Sequence, residues 1–184
     1  MLLTTRAHEA ISGHLAPGAI AVDATAGNGH DTAFLAERVG VHGRVFAFDL
    51  QSAAIDATRA RLEALGLGGR VSLHHVDHAG LIATLEAAGV RAIDCAMFNL
   101  GYLPGADKTC ITRPAQTLAA LTGARNLLRA GGIITVLAYR GHAGGAEEAD
   151  AVREWMRTAE TQGVEVSAYD SAGPILWVLR AISV

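Results

Sequence analysis

At 184 residues, 51% hydrophobic and with only four prolines, the chain carries enough apolar sequence for a full core, so a single folded domain over 1–184 is expected rather than disorder. A formal net charge of -3 excludes a global basic field of the kind that advertises nucleic acid, although a local patch would still serve. Two cysteines, Cys95 and Cys110, make no disulfide framework, Met1 to Arg6 lacks the apolar core of a signal peptide, and no apolar run is long enough for a bilayer; a soluble cytoplasmic protein without a membrane partner is expected.

Thr5 to Leu15 reads as a short helix stopped by Pro17-Gly18. Ile20–Ala24 reads as the first strand. It ends in Asp23 and passes directly into a loop whose glycines, Gly27 and Gly29, sit two apart. A helix follows, with Ala33, Phe34, Ala36 and Val39 at its apolar positions. Strand, glycine loop and helix in that order open a nucleotide-type α/β sheet, where bare backbone lets a ligand approach a helix N-terminus. The carboxylate of Asp23 disfavours the pyrophosphate of a dinucleotide. It suits a cationic adenosine derivative such as S-adenosylmethionine, which carries a sulfonium and an ammonium. G-x-G without a third glycine is by itself weak, and a plain tight turn is the other reading.

Arg44–Asp49 is the second predicted strand and Gln51–Leu65 a helix, with Ile55, Thr58, Leu62 and Leu65 at helical spacing and Gly66 to Gly69 closing it. Asp49 ends its strand, where a carboxylate can accept both ribose hydroxyls of NAD or S-adenosylmethionine alike. Val71–His75 is the third strand and His78–Ala88 a helix. Asp77-His78 falls where this architecture borders an adenine, and Asp77 serves equally well as a helix N-cap.

Ile93–Asn99 is the fourth strand, followed by an irregular segment from Leu100 to Arg113. Pro114 opens a helix to Leu128, and Gly131-Gly132 turns into the strand Ile133–Ala138. Glu147–Gln162 is the last helix. Val164–Tyr169 and Ile175–Ile182 are joined by too few residues for a crossover, so they must pair antiparallel. The expected fold is α/β: a seven-stranded, mostly parallel sheet with an antiparallel C-terminal strand pair and helices on both faces, the Rossmann-like arrangement of class I methyltransferases. A dinucleotide fold would continue to a sixth parallel strand.

Asn99-Leu100-Gly101-Tyr102, at the end of the fourth strand, points to the reaction. Amino methyltransferases carry N-P-P-Y or D-P-P-Y there: the Asn oxygen and the next carbonyl hold an amine, leaving its lone pair aimed at the methyl carbon, while the ring stacks on the base. Leu100 and Gly101 replace the prolines, and a buried Asn closing a turn is the alternative. After the fifth strand, Tyr139-Arg140-Gly141-His142 brings a His able to take or position a proton, or simply a solvated one. The histidines and cysteines show no zinc spacing, so no metal is expected.

Together, D-A-T-A-G-N-G-H-D-T, F-D-L-Q, F-N-L-G-Y-L-P-G-A-D-K and Y-R-G-H-A-G-G resemble a bacterial family labelled rRNA methylase and similar to the tRNA 5-aminomethyl-2-thiouridine methyltransferases. The motifs lie in order over nearly the whole chain. The resemblance implies methylation of the aminomethyl group of a wobble uridine, with S-adenosylmethionine as cofactor and a tRNA anticodon stem-loop as partner. It implies Asp23, Thr25, Gly27, Asn28, Gly29, Asp31 and Thr32 around the methionine part, Asp49 and Gln51 at the ribose, and Asp77 and His78 at the adenine. Asn99, shared with the cofactor, would face the amine with Tyr102, Tyr139 and His142. Arg140 stands where a second His is expected and Ala106 where Gly is expected.

Lys108, Arg113 and Arg140 fall in the loops after the fourth and fifth strands, where clustering would let them meet RNA phosphates. A homodimer is compatible with the sequence. Competing readings are a methyltransferase for rRNA or a small-molecule amine, an NAD-linked oxidoreductase, and a non-catalytic S-adenosylmethionine-binding module. The missing third glycine, Asp23 and the antiparallel end strands oppose the oxidoreductase. Asn99 and Tyr102 beside an intact loop oppose the module.

Overall fold

A computed structural model describes residues 2–101 and 112–182. Strands β1 (Ile20–Asp23), β2 (Arg44–Asp49), β3 (Val71–His75), β4 (Ile93–Leu100) and β5 (Leu128–Tyr139) run parallel; β6 (Val164–Asp170) and β7 (Pro174–Ala181) close the sheet in the order β3-β2-β1-β4-β5-β7-β6. β7 runs antiparallel to β5 and, as the short junction at 171–173 requires, to β6. The order reverses between β1 and β4, and the carboxyl ends of the strands open a crevice there.

Strand alternation divides the core in two. Val22, Phe46, Phe48, Trp177 and Leu179 face one side, where helices α4 (Leu81–Ala87), α5 (Pro114–Leu127) and α6 (Gly145–Glu160) supply Leu85, Leu121, Val152 and Met156. Ala21, Val45, Leu176 and Val178 face the other, meeting Ile11, Leu35, Val39 and Leu62 of α1 (Leu3–Ser12), α2 (His30–Val39) and α3 (Ser52–Ala64). Each face therefore buries an apolar helix stripe, the helices-on-both-faces layering expected from the alternating pattern.

Boundaries differ from expectation where backbone detail decides. α1 ends at Ser12 rather than Leu15, although the His14 and Leu15 N–H groups still donate to the Ile11 carbonyl. The helix expected from His78 begins as a 3-10 turn, His78–Gly80, because the Asp77 carboxylate accepts the Ala79 N–H before the α-helical ladder starts. Gly131-Gly132 does not precede the fifth strand but lies inside it. Ile93 pairs Leu128 while Cys95 pairs Ile133, so β5 carries extra residues as a bulge, and Gly131 supplies its φ of +74°. No helix among the described residues is long and apolar enough to cross a membrane.

Candidate active site

The loop after β1 lies across the carboxyl ends of its neighbours: the Ala24 N–H donates to Met97 O of β4 and the Ala26 N–H to Phe48 O of β2. Two side chains of α3 clamp it from behind. The Thr58 hydroxyl donates to Gly27 O at 3.0 Å, and Arg61 Nε donates to Asn28 O at 2.7 Å. Gly29 has φ +77°, and a Cβ there would stand 2.9 Å from Thr58 Cα, so only glycine lets α3 come this close. Sequence reading found the glycine loop but not its clamp, because spacing alone does not show what α3 touches.

Asp23 corrects an expectation. Only 1% exposed, it sits beneath the loop, accepting the Thr25 N–H at 3.1 Å and the Thr32 hydroxyl at 2.6 Å. Burial, aided by the nearby Asp31 carboxylate, pushes its pKa up to about 7 against the pull of those two hydrogen bonds. Asp23 and the buried Thr32 lie beneath the loop and Gly29 behind it; they support the loop from outside the lining of the crevice. The other proposed cofactor residues do line it.

The crevice encloses about 930 Å³, within the range of small-molecule sites. On its β2 side Asp49 accepts the Gly27 N–H on one oxygen and the Gln51 N–H on the other, both at 2.9 Å. Those bonds fix the carboxylate, and each oxygen keeps a lone pair for an incoming hydroxyl. Asp77 and His78 form the next part of the wall. The His78 ring is buried edge-on to Phe98, and desolvation lowers its pKa.

On the β4 side the Asn99 N–H donates to the Thr25 hydroxyl at 2.7 Å, and its side-chain amide nitrogen lies 3.4 Å from Asp31 Oδ2. Around Gly101, with φ +153°, the ends of β4 and β5 converge: a Cβ there would meet His142 Nε2 at 3.7 Å and Tyr139 Cδ2 at 3.8 Å. His142 Nδ1 lies 3.0 Å from Ala143 O, and burial with the Asp31 charge raises the Tyr139 pKa. Asn99, Tyr139 and His142 thus share one wall. Tyr102 and Lys108 lie outside the described residues.

The basic cluster is reduced. Arg113 is exposed at the crevice, just before α5. Arg140, expected to meet phosphate, lines the crevice but is also held within the fold: its guanidinium pairs Asp170 at 2.5 Å and donates to Ser171 O, and Nε donates to Gly173 O at 3.0 Å. It staples the end of β5 to the β6–β7 turn and holds the Asp170 carboxyl below its usual range. Sequence reading also missed Glu148, 2% exposed on α6, which accepts the Thr112 and Thr117 hydroxyls at 2.6 Å each. A carboxylate on the apolar stripe of α6 was the available signal.

Residues 45–174 match the family described as "Putative rRNA methylase". The chain belongs to this family. It is 40% identical over 144 residues to the chloroplastic tRNA (mnm(5)s(2)U34)-methyltransferase of Arabidopsis thaliana, covering 73% of this chain but only 52% of that protein. Among solved structures, a Clostridium thermocellum protein described as "putative rRNA-methylase" superposes with TM-score 0.91 at 39% identity, covering 97% of each chain. A Streptococcus mutans methyltransferase solved in complex with SAH superposes with TM-score 0.85 at 33% identity, covering 98% of each. The fold is that of the class I methyltransferases, and the cofactor is S-adenosylmethionine. The crevice fits it: fixed carboxylate oxygens of Asp49 suit ribose hydroxyls, Asp31 suits an ammonium, and the bare backbone at Gly27 admits close approach.

Proposed function

We propose that the protein methylates the aminomethyl nitrogen of 5-aminomethyl-2-thiouridine at the tRNA wobble position, giving 5-methylaminomethyl-2-thiouridine, with the anticodon stem-loop as its macromolecular partner. The observation that carries this reading is Asn99: it is the next-to-last residue of β4, before Leu100, on the crevice wall, with its amide nitrogen turned to a carboxylate. A carboxylate only accepts, so the amide oxygen is left for an amine on the crevice side. When bound, S-adenosylmethionine supplies an electrophilic methyl group. Asn99 accepts an amine hydrogen and so keeps the nitrogen lone pair directed into the crevice. His142 and Tyr139, on the neighbouring strand end, flank that position, and His142 receives the proton the amine gives up. The name of the Arabidopsis relative supports the tRNA substrate.

The family description favours rRNA as a second reading, and one experiment separates the two. Purified protein with S-adenosylmethionine is incubated with tRNA and with ribosomal RNA from cells lacking the gene, and the nucleosides are resolved by mass spectrometry. A gain of one methyl on 5-aminomethyl-2-thiouridine supports the proposal. Methylation confined to ribosomal RNA replaces it with the second reading.

A further inference from the structure

α1 lies before the motifs that carry the site, yet it reaches them. His8 Nε2 lies 2.7 Å from Asp31 Oδ1, and the other oxygen of Asp31 faces the Asn99 amide. His8 is held for this contact: its ring stacks on Phe34 of α2, with centroids 3.9 Å apart and planes 2° from parallel. The helix is fixed further along by Arg6, whose guanidinium sits 4.2 Å from the centroid of the Tyr169 ring. A cavity of about 10 Å³, the room of a single water, lies beside Asp31 and Asn99 and reaches Thr4 of α1 and Thr135 of β5. The buried Thr135 hydroxyl has no partner among the described residues, so a water there would join it to the same chain of groups.

Asp31 needs such a tether. It lies at the crevice wall near the buried Asp23 carboxyl, and a carboxylate there is oriented by the donors that reach its two oxygens. We infer that His8 is a positioning residue for methyl transfer: it donates to Asp31, which fixes the amide of Asn99 with nitrogen inward and oxygen toward the acceptor amine. This rests on the function proposed above. Without the tether Asp31 can swing, the Asn99 amide is free to flip, and an N–H would then meet an amine that needs an acceptor.

Two variants of the full chain separate this role from packing. His8→Phe keeps the stack on Phe34 and removes the donor, whereas His8→Gln keeps a donor near the Nε2 position and removes the ring. In His8→Phe, kcat should fall about tenfold or more, the scale of effect that small misplacement of a reacting group produces. KM for tRNA and Tm should stay near wild type, the Kd for S-adenosylhomocysteine should rise by less than kcat falls because Asp31 also borders the cofactor, and His8→Gln should recover most of kcat. Wild-type kcat in His8→Phe, a loss of cofactor affinity in place of kcat, or equal damage in both variants would overturn the inference. A second readout does not depend on turnover: the ¹⁵N-resolved side-chain amide of Asn99, assigned by its loss in Asn99→Asp. Its signals should shift and exchange faster with solvent in His8→Phe but not in His8→Gln. An unchanged amide in His8→Phe refutes the tether even if the RNA substrate proves to be different, while an inactive wild type with the expected amide response counts against the proposed function alone.

Discussion

Asp49 and Asn99 divide the site between binding and chemistry, and single substitutions should separate them. Asp49 fixes the loop through Gly27 and Gln51 while its free lone pairs face the crevice. Asp49→Ala should weaken S-adenosylmethionine binding by about 1.5–3 kcal/mol, the range for losing a hydrogen bond to a charged group. Calorimetry on the folded variant checks this, and unchanged affinity removes Asp49 from the cofactor site. Asn99 contributes its side chain to alignment and its backbone N–H to Thr25, so Asn99→Ala keeps the bond to the loop. Its methylation rate should collapse with cofactor affinity largely intact; wild-type turnover on tRNA carrying the unmethylated amine would sink the N-methyl assignment.

At the scale of elements, the termini of α5 and α6 are tied together by one buried carboxylate. Glu148 accepts from Thr112, where the described chain resumes ahead of α5, and from Thr117 within it. Glu148→Ala removes the acceptor of two hydroxyls, that of the buried Thr117 and that of Thr112 on the crevice wall, and should destabilise the fold by about 2–4 kcal/mol. Urea denaturation measures it; a change below about 0.5 kcal/mol, ordinary for a surface site, would mean the buried pairing carries no weight. Helix and strand identity were legible because short continuous apolar runs, buried on both faces, alternate with stretches of helical spacing. The bulge in β5 was not, because a Gly-Gly pair signals a break in regular backbone without saying whether the strand stops or continues through it.

Across the molecule, two properties depend on where charges end up. Asp23 holds its proton to about pH 7 in the fold and loses it near the ordinary carboxyl value when unfolded. Over that window the folded state binds more protons, so this contribution to stability is complete below about pH 4 and is lost as pH rises through 7. Asp23→Asn cannot ionise; its stability relative to wild type should therefore rise between about pH 5 and pH 8, read by denaturant titration at each pH. A gap that does not change would show that Asp23 titrates alike in both states. For RNA, Arg113 is an exposed cation at the crevice among the described residues, while Arg140 is bound by the β6–β7 turn. Arg113→Ala should raise KM for tRNA and reduce the salt slope of binding by about one phosphate contact, with cofactor affinity unaltered. An unchanged slope would put the docking face elsewhere.

By itself the sequence determined the layer architecture, the antiparallel end of the sheet and the positions of Asp49, Asp77 and Asn99 at or near the carboxyl ends of strands. Those follow from local period, glycine spacing and the length of one junction, all short-range properties of the chain. Tertiary structure alone decided which charged side chains remain available to a ligand. Asp23 and Asp49 both end a strand beside the same loop, yet burial turns the first into a support and leaves the second on the crevice wall. Arg113 and Arg140 read alike as loop cations until Asp170, thirty positions after Arg140, takes one of them. His8 and Asp31, 23 positions apart, meet only because α1 folds back onto the face that α2 covers. The chemistry of a polar side chain is set by its partners, and partners distant in sequence are fixed only when the sheet and its helices close.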